Sequence, residues 1–129
     1  MVMMKPYALP KSERLHSLTA VRRLFKDGSS GFVYPFRYTT LIEKSTSPSV
    51  EVLFSVPKRY HKRANKRNLL RRRTKEAYRL NKETLVSLAT NETLAVDIAI
   101  IYSSKEILPY KNIEYALRRI VAEINIELG

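Results

Sequence analysis

One stretch of the chain, residues 57–79, limits the possible folds more than any other. It contains eleven of the 24 Lys and Arg residues and one acidic residue, Glu76, so its formal charge is +10. Its only proline is the first residue and it has no glycine, so a helix from residue 62 or 63 to about 81 can run unbroken. Leu70, Thr74 and Ala77 share one side of that helix, which predicts a buried face and a broad cationic face.

The cationic face of this helix has the chemistry of a polyanion-binding surface. On a helical wheel it comprises Arg63, Asn68, Arg71, Arg72, Lys75 and Arg79, with Tyr78 beside them. Leu69 and Leu80 fall nearer the buried side. Arginine presents a planar fork that matches phosphate oxygens, and an asparagine amide can bond a base edge or a 2′-hydroxyl. The one acid, Glu76, can pair with Arg72 or Arg79 on a neighbouring turn, so most of the cations are predicted to face nucleic acid.

The remainder of the chain argues against several other functions. It has no cysteine and three glycines, which excludes a thiolate nucleophile and a glycine-rich phosphate loop. His16 and His61 are isolated, which predicts ordinary surface histidines and no metal site. No paired-carboxylate motif occurs, so no catalytic residues are expected. No apolar run reaches the ~20 residues of a membrane-spanning helix, and the N-terminus lacks a signal-peptide core, which predicts a cytoplasmic protein without membrane contact.

The spacing of apolar residues predicts one α+β domain over residues 1–129, with an irregular arm over 1–13. Helices are expected at 15–25, where Ser17 or Thr19 can cap and Asp27-Gly28 can stop the helix, at 62–81 and at 109–128. Strands are expected at 32–42, 50–56 and 94–102, and the first can split in two. Residues 83–94 are ambiguous between a helical turn and a loop. A hairpin of 32–42 with 50–56 and a helical crossover predict one mixed sheet of about four strands, with helices on one face.

An aromatic row in the first strand has two interpretations. Phe32, Tyr34, Phe36 and Tyr38 share one face if the strand is unbroken. Such a row can form the core under the helices, or it can stack on unpaired bases. The sequence leaves both open.

Residues 54–79 resemble the signature of the bacterial ribonuclease P protein component. In that family a strand ends in Ser/Thr-Val, a basic pair follows, and a helix then opens with Arg-Asn-Arg. The matching residues are Ser55-Val56, Lys58-Arg59, Arg67-Asn68, Arg71-Arg72 and Glu76-Ala77-Tyr78-Arg79. Upstream, Arg14-Leu15 and residues 21–28 are similar to the family's N-terminal helix and turn. Leu69 stands where the family usually has a second arginine and Lys75 where arginine is usual, which puts one RNA contact and one bidentate geometry in doubt.

The resemblance implies a fold and a function. The fold is α-β-β-β-α-β-α with a left-handed βαβ crossover, like domain 2 of ribosomal protein S5. The function is that of the protein subunit of ribonuclease P, in which a large RNA uses Mg²⁺ to remove the 5′ leader of precursor tRNA. The protein is expected as a monomer bound one-to-one to that RNA, with Mg²⁺ held mainly by the RNA.

The resemblance also assigns the binding residues. The expected contacts with the catalytic RNA are Lys58, Arg59, Lys62, Arg63, Lys66, Arg67, Asn68, Arg71, Arg72, Lys75 and Arg79. A central cleft for the leader is expected around Phe25, Phe36 and Tyr38, with Val21 in place of an aromatic residue often found there.

Three other functions remain possible from composition. A ribosomal or other structural RNA-binding protein would share the size and charge but would not need an aromatic cleft. A DNA-binding module could place the helix in a major groove, although dense arginines favour phosphates over base edges. A peripheral membrane protein is the weakest alternative, because the helix lacks a bulky apolar face.

Overall fold

The computed structural model describes residues 14, 15 and 17–129, so the predicted arm over 1–13 lies outside the described residues, as does His16. The chain forms four helices and four strands in this part. They are α1 (Leu18–Asp27), β1 (Ser29–Val33), β2 (Phe36–Lys44), β3 (Ser49–Ser55), α2 (Ala64–Asn81), α3 (Glu83–Asn91), β4 (Leu94–Tyr102) and α4 (Tyr110–Leu128). This is the predicted α+β order with one addition, because the ambiguous segment after α2 forms the separate helix α3.

The four strands form one mixed sheet in the order β1-β2-β4-β3. β2 is antiparallel to both β1 and β4, and β3 is parallel to β4. The predicted hairpin of 32–42 with 50–56 is therefore wrong, since β4 lies between β2 and β3. The hairpin instead forms inside the aromatic run, which splits at Tyr34-Pro35. β4 takes the central position because it is the most continuously apolar strand and can be covered on both faces.

The two faces of the sheet carry different helices. The main core lies on the face that bears Phe36 and Ile100 and packs against α2, α3 and α4. A smaller cluster of Leu15, Leu24 and Ala99 lies on the opposite face, under α1. The prediction that the helices share one face is thus wrong for α1. Because α1 is only ten residues long, it covers part of its face and leaves the rest open.

The helix boundaries follow local sequence signals. α1 begins three residues later than expected, after Ser17, whose side chain accepts a hydrogen bond from the Ala20 amide. Leu15 instead donates its backbone amide to the Val52 carbonyl at 2.8 Å. α4 follows Pro109, as predicted, and its expected apolar face is buried. None of the described helices is both long and apolar enough to cross a membrane.

The buried face of α2 is rotated from the predicted one. Leu70, Thr74 and Ala77 are buried as expected. Tyr78, predicted among the cations, is also buried and packs edge-on against Phe54, with ring centroids 5.5 Å apart. Leu80 is 41% exposed, although it was expected near the core. Tyr78 thus faces β3, and the buried side of α2 extends as far as that strand.

Candidate nucleic-acid interface

The predicted RNA-contacting residues all lie on one continuous surface segment. It runs from the end of β3 through the loop of residues 56–63 and along α2. The exposed members are Lys58, Arg59, Lys62, Arg63, Asn68 and Arg72. The half-buried members are Lys66, Arg67, Arg71, Lys75 and Arg79. The structure therefore brings these side chains together, and their exposure is compatible with phosphate contact.

Arg67 holds the loop before α2 in place. Its guanidinium Nη1 donates to the carbonyl oxygen of His61 at 3.0 Å and to that of Lys62 at 2.7 Å. A charged fork that bonds two backbone carbonyls stabilises the approach to the helix, because those carbonyls then need no other partner. Arg67 is consequently a structural residue as well as a cation on the candidate surface.

Other cations on α2 have defined partners. Arg71 donates to the Asn68 side-chain oxygen at 3.3 Å, which orients both polar groups. Arg79 pairs with Glu76 and lowers the pKa of that carboxyl, which confirms one of the two predicted partners. Arg73 turns away from these residues and donates to the Leu108 carbonyl at 2.7 Å. Arg73 therefore fastens α2 to the segment before α4.

His61 is buried, contrary to the prediction of a surface histidine. Its Nε2 lies 2.7 Å from the Ser104 carbonyl, to which it donates, and its ring packs edge-on against Tyr102. These contacts join the loop before α2 to the loop after β4. The sequence carries no signal for this role, because the two loops are more than forty residues apart and their contact depends on strand order.

The second part of the site is the open area of the sheet face that carries α1. Pairing of the strands aligns two rows of side chains across all four strands on this face. One row is Ser55, Ile101, Arg37 and Phe32; the next is Leu53, Ala99, Thr39 and Ser30. An open cavity of about 520 Å³ lies over the β1–β2 side of these rows. It is lined by Phe25, Ser30, Phe32, Arg37, Thr39 and Ile101, with Gly31 and Tyr38 also at its border.

The structure places the three predicted cleft residues differently. Phe25 lines the cavity and is 47% exposed. Tyr38 borders the cavity, but it is 6% exposed, and its hydroxyl donates to Glu123 of α4. Phe36 is completely buried, edge-on to Tyr102, so the prediction of a cleft role for Phe36 is wrong. The aromatic row thus divides: Phe36 and Tyr38 belong to the core, and Phe32 is exposed.

Arg37 and Thr39, which were not predicted from the sequence, complete the cavity beside Phe32, a member of the aromatic row. Phe32 is 55% exposed beside Arg37, which is its cross-strand partner. An aromatic ring next to a guanidinium suits an unpaired nucleotide, because the ring can stack on the base and the cation can pair with the phosphate. The alternation within β2 could have identified Arg37 and Thr39, since they lie on the face opposite Phe36 and Tyr38.

The basic helix and the open sheet face meet along β3. A smaller opening of about 260 Å³ is bordered by Arg14, Leu53 and Phe54 on one side and by Arg71 and Lys75 of α2 on the other. Leu53 also belongs to the second row of the open face. A strand of nucleic acid could therefore contact the cations of α2 and the sheet without leaving the protein surface. Lys75, one of the two departures from the family motif, lies at this junction.

The open sheet face also carries acidic residues, which lie at the end away from Arg37. Glu51 and Asp97 are neighbours on β3 and β4, two rows from Arg37. Burial, and then the charge of Glu51, raises the pKa of Asp97. Glu43 pairs with Arg23 of α1. These acids lie towards the Leu94 end of the sheet, away from the residues that line the cavity near Arg37.

No group of three or more His, Asp or Glu side chains in the described residues could hold a metal ion. The acids of the open face occur as the pair of Glu51 and Asp97, with Glu43 engaged by Arg23. The surface built by these residues can bind and orient a polyanion.

Comparison with known proteins identifies what the chain is similar to. The sequence profile described as Ribonuclease P matches residues 9–125. A ribonuclease P protein component of Porphyromonas gingivalis is 32% identical over 119 residues, which cover 92% of this chain and 87% of that protein. One of Chlorobaculum tepidum is 38% identical over 82 residues, covering 60% of this chain and 53% of that protein.

Solved structures show the same fold. The ribonuclease P protein of Thermotoga maritima superposes with a TM-score of 0.66 at 21% identity, covering 86% of this chain and 96% of that one. The protein of Staphylococcus aureus gives a TM-score of 0.61 at 23% identity, with 92% of both chains covered. At these identities the structural likeness establishes the fold alone.

Proposed function

This chain belongs to the ribonuclease P protein family, and on that premise we propose that it binds the catalytic RNA of ribonuclease P together with the 5′ leader of precursor tRNA. A role as a subunit of the tRNA-processing ribonucleoprotein follows from the family. The division of that role between two surfaces is our proposal. The observation that carries it is the junction along β3 of a cationic helix and an open sheet face that contains exposed aromatic rings.

The basic segment is assigned to the catalytic RNA. Within residues 57–79 the eleven cations face one acidic residue, Glu76, which is engaged with Arg79. A folded RNA presents closely spaced phosphates, which arginine forks and lysine amines can neutralise without reading a sequence. Leu69, half-buried, removes one such contact relative to the usual family motif.

The open sheet face is assigned to the leader. A single strand has unpaired bases that can stack on Phe25 and Phe32, while Arg37 pairs with its phosphates. Stacking and charge pairing depend little on base identity, so binding that depends little on sequence is expected. The two surfaces are contiguous, which lets one protein contact the RNA subunit and its substrate together.

Hydrolysis is assigned to the RNA subunit. The protein acts as the accessory subunit of this RNA-based endoribonuclease: it binds and orients the precursor, and Mg²⁺ held by the RNA supplies the chemistry. We further propose a cytoplasmic monomer that binds the RNA one-to-one, since the basic surface and the open sheet face lie on the same chain.

The main alternative is a structural RNA-binding protein. It would account for the cations of α2, but it gives no role to exposed rings beside Arg37 on the opposite side of β3. A DNA-binding function is less well supported. The dense cations of α2 suit phosphates, which carry no sequence information, better than base edges.

The test is cleavage of a precursor tRNA by the cognate ribonuclease P RNA at low Mg²⁺, with and without this protein. Stimulated cleavage that yields the mature 5′ end supports the proposal. The variant Arg37→Ala should lose stimulation for precursors with long leaders, and the matched control Lys44→Ala, an exposed cation at the other end of β2, should keep it. A folded, RNA-binding protein that does not stimulate cleavage would favour the structural RNA-binding alternative.

A further inference from the structure

A second aromatic and cationic surface lies on the side of the sheet covered by α4. An open cavity of about 490 Å³ separates Tyr34, in the turn between β1 and β2, from the first half of α4. Tyr34 is 50% exposed and Tyr115 is 58% exposed, and both line the cavity. The exposed cations Lys111 and Arg118 line it as well. Two exposed rings beside cations on one cavity form a candidate ligand surface.

The charge of this surface favours an anionic ligand. Its one acid, Glu114, accepts hydrogen bonds from Arg118 and from Asn81, and the Arg118 guanidinium lowers the pKa of this carboxyl. Lys111 and the adjacent exposed Arg119 add positive charge. Phosphates are thus attracted to the rim, while the faces of the tyrosines can hold bases.

The surface is connected to the basic helix. The carbonyl of Leu108, a lining residue, accepts the hydrogen bond of Arg73 from α2. On the other side, the Tyr34 hydroxyl lies 3.0 Å from the Ser104 hydroxyl, and the Ser104 carbonyl accepts from His61 in the loop before α2. RNA lying on α2 therefore reaches this cavity by a short path over protein surface.

We propose that Tyr34, Tyr115 and Lys111 form a second RNA site, which takes an unpaired nucleotide of the RNA bound along α2. The proposal rests on the proposed function, since it assumes RNA on the basic helix. It assigns α4 a role besides packing: the helix buries one side in the core and offers the other to a flipped or single-stranded base. A base held between the two tyrosines would fix the orientation of the RNA about the long axis of α2.

The experiment uses the full chain and a single-stranded oligouridine decamer that contains 5-iodouridine, which crosslinks to aromatic side chains in contact with the base. Mapping the crosslinked peptides should identify Tyr115 or Tyr34 in addition to the cavity around Phe25. In a Phe25→Ala, Phe32→Ala background, Tyr115→Ala should weaken decamer binding about tenfold, as for the loss of one stacked base. Tyr115→Phe should retain binding, because its ring remains.

The matched control is Ile126→Ala, because Ile126 lies on the same helix and is 79% exposed. Added to the Phe25→Ala, Phe32→Ala variant, it should leave decamer binding unchanged. Crosslinks confined to the first cavity, or equal binding by Tyr115→Ala, would overturn the second site. So would a Tyr115-dependent dimer in sedimentation of the RNA-free protein, which would identify a second copy as the occupant. If the protein stimulates precursor cleavage but gives no crosslinks at Tyr34 or Tyr115, the second site is wrong and the proposed function stands. If the crosslinks form but cleavage is not stimulated, the proposed function is wrong and the second site remains as an RNA-binding site.

Discussion

Arg67 combines two roles that the sequence could not separate. It matches the arginine of the family motif, and it also bonds the carbonyls of His61 and Lys62. We expect Arg67→Ala to lower the free energy of unfolding by about 1–2 kcal/mol, because two carbonyls lose a charged donor, and to weaken RNA binding as well. Urea titrations and RNA-binding isotherms measure the two effects. Arg72→Ala, which removes an exposed cation, should affect RNA binding alone; an Arg67→Ala protein as stable as the parent would contradict the bracing role.

The two phenylalanines of the β1–β2 hairpin should behave in opposite ways. Phe32 is 55% exposed beside the cavity, whereas Phe36 is completely buried. Phe32→Ala should leave stability nearly unchanged and reduce affinity for a leader-bearing precursor about tenfold, with little effect on mature tRNA. Phe36→Ala should cost about 3–5 kcal/mol of stability. Binding assays with the two RNAs measure affinity, and thermal unfolding measures stability. Equal loss of affinity for both RNAs in Phe32→Ala would contradict a contact between Phe32 and the leader.

At the scale of elements, the pairing of β3 with β4 makes the stability of the fold depend on pH. Burial and Glu51 raise the pKa of Asp97, so the folded state holds the proton more tightly than the unfolded state. Protonated Asp97 therefore favours the folded state most at pH values below the usual aspartate range. This contribution to the free energy of unfolding declines as the pH rises towards the pKa of Asp97 in the folded protein. Asp97→Asn should remove the decline, so its stability relative to the parent should grow as the pH rises from 3.5 to 7. Urea unfolding across that range tests this, and a constant difference would contradict it.

The elements themselves were predictable where periodicity is strong. α2, α4 and β4 were found because each has a long apolar pattern of one period. The order of the strands was not, since inserting β4 between β2 and β3 depends on contacts across more than forty residues. That order also decides which face of β2 is open. The resemblance placed Phe36 in the cleft, whereas the observed pairing turns Phe36 to the core and leaves Arg37 on the open face.

At the scale of the whole molecule, the distribution of charge predicts how binding responds to salt. The chain carries +12, of which +10 lies within residues 57–79. If about six cations contact phosphates, log K should fall with log salt at a slope of roughly −4 to −5. Removing two contacts with Arg71→Ala and Arg72→Ala together should reduce the magnitude of the slope by about 1.4–1.8 and weaken binding to all RNA sequences alike.

The matched control for that slope is a pair of cations outside the proposed surface. Lys44 and Lys26 are exposed, and neither lies on the basic segment or among the residues that line the cavity near Arg37. Lys44→Ala with Lys26→Ala makes the same change in net charge. If the slope follows total charge, both double variants will shift it equally, and the localised surface is wrong. If it follows contacts, only the α2 pair will shift it, because counterions are released where phosphates meet the protein.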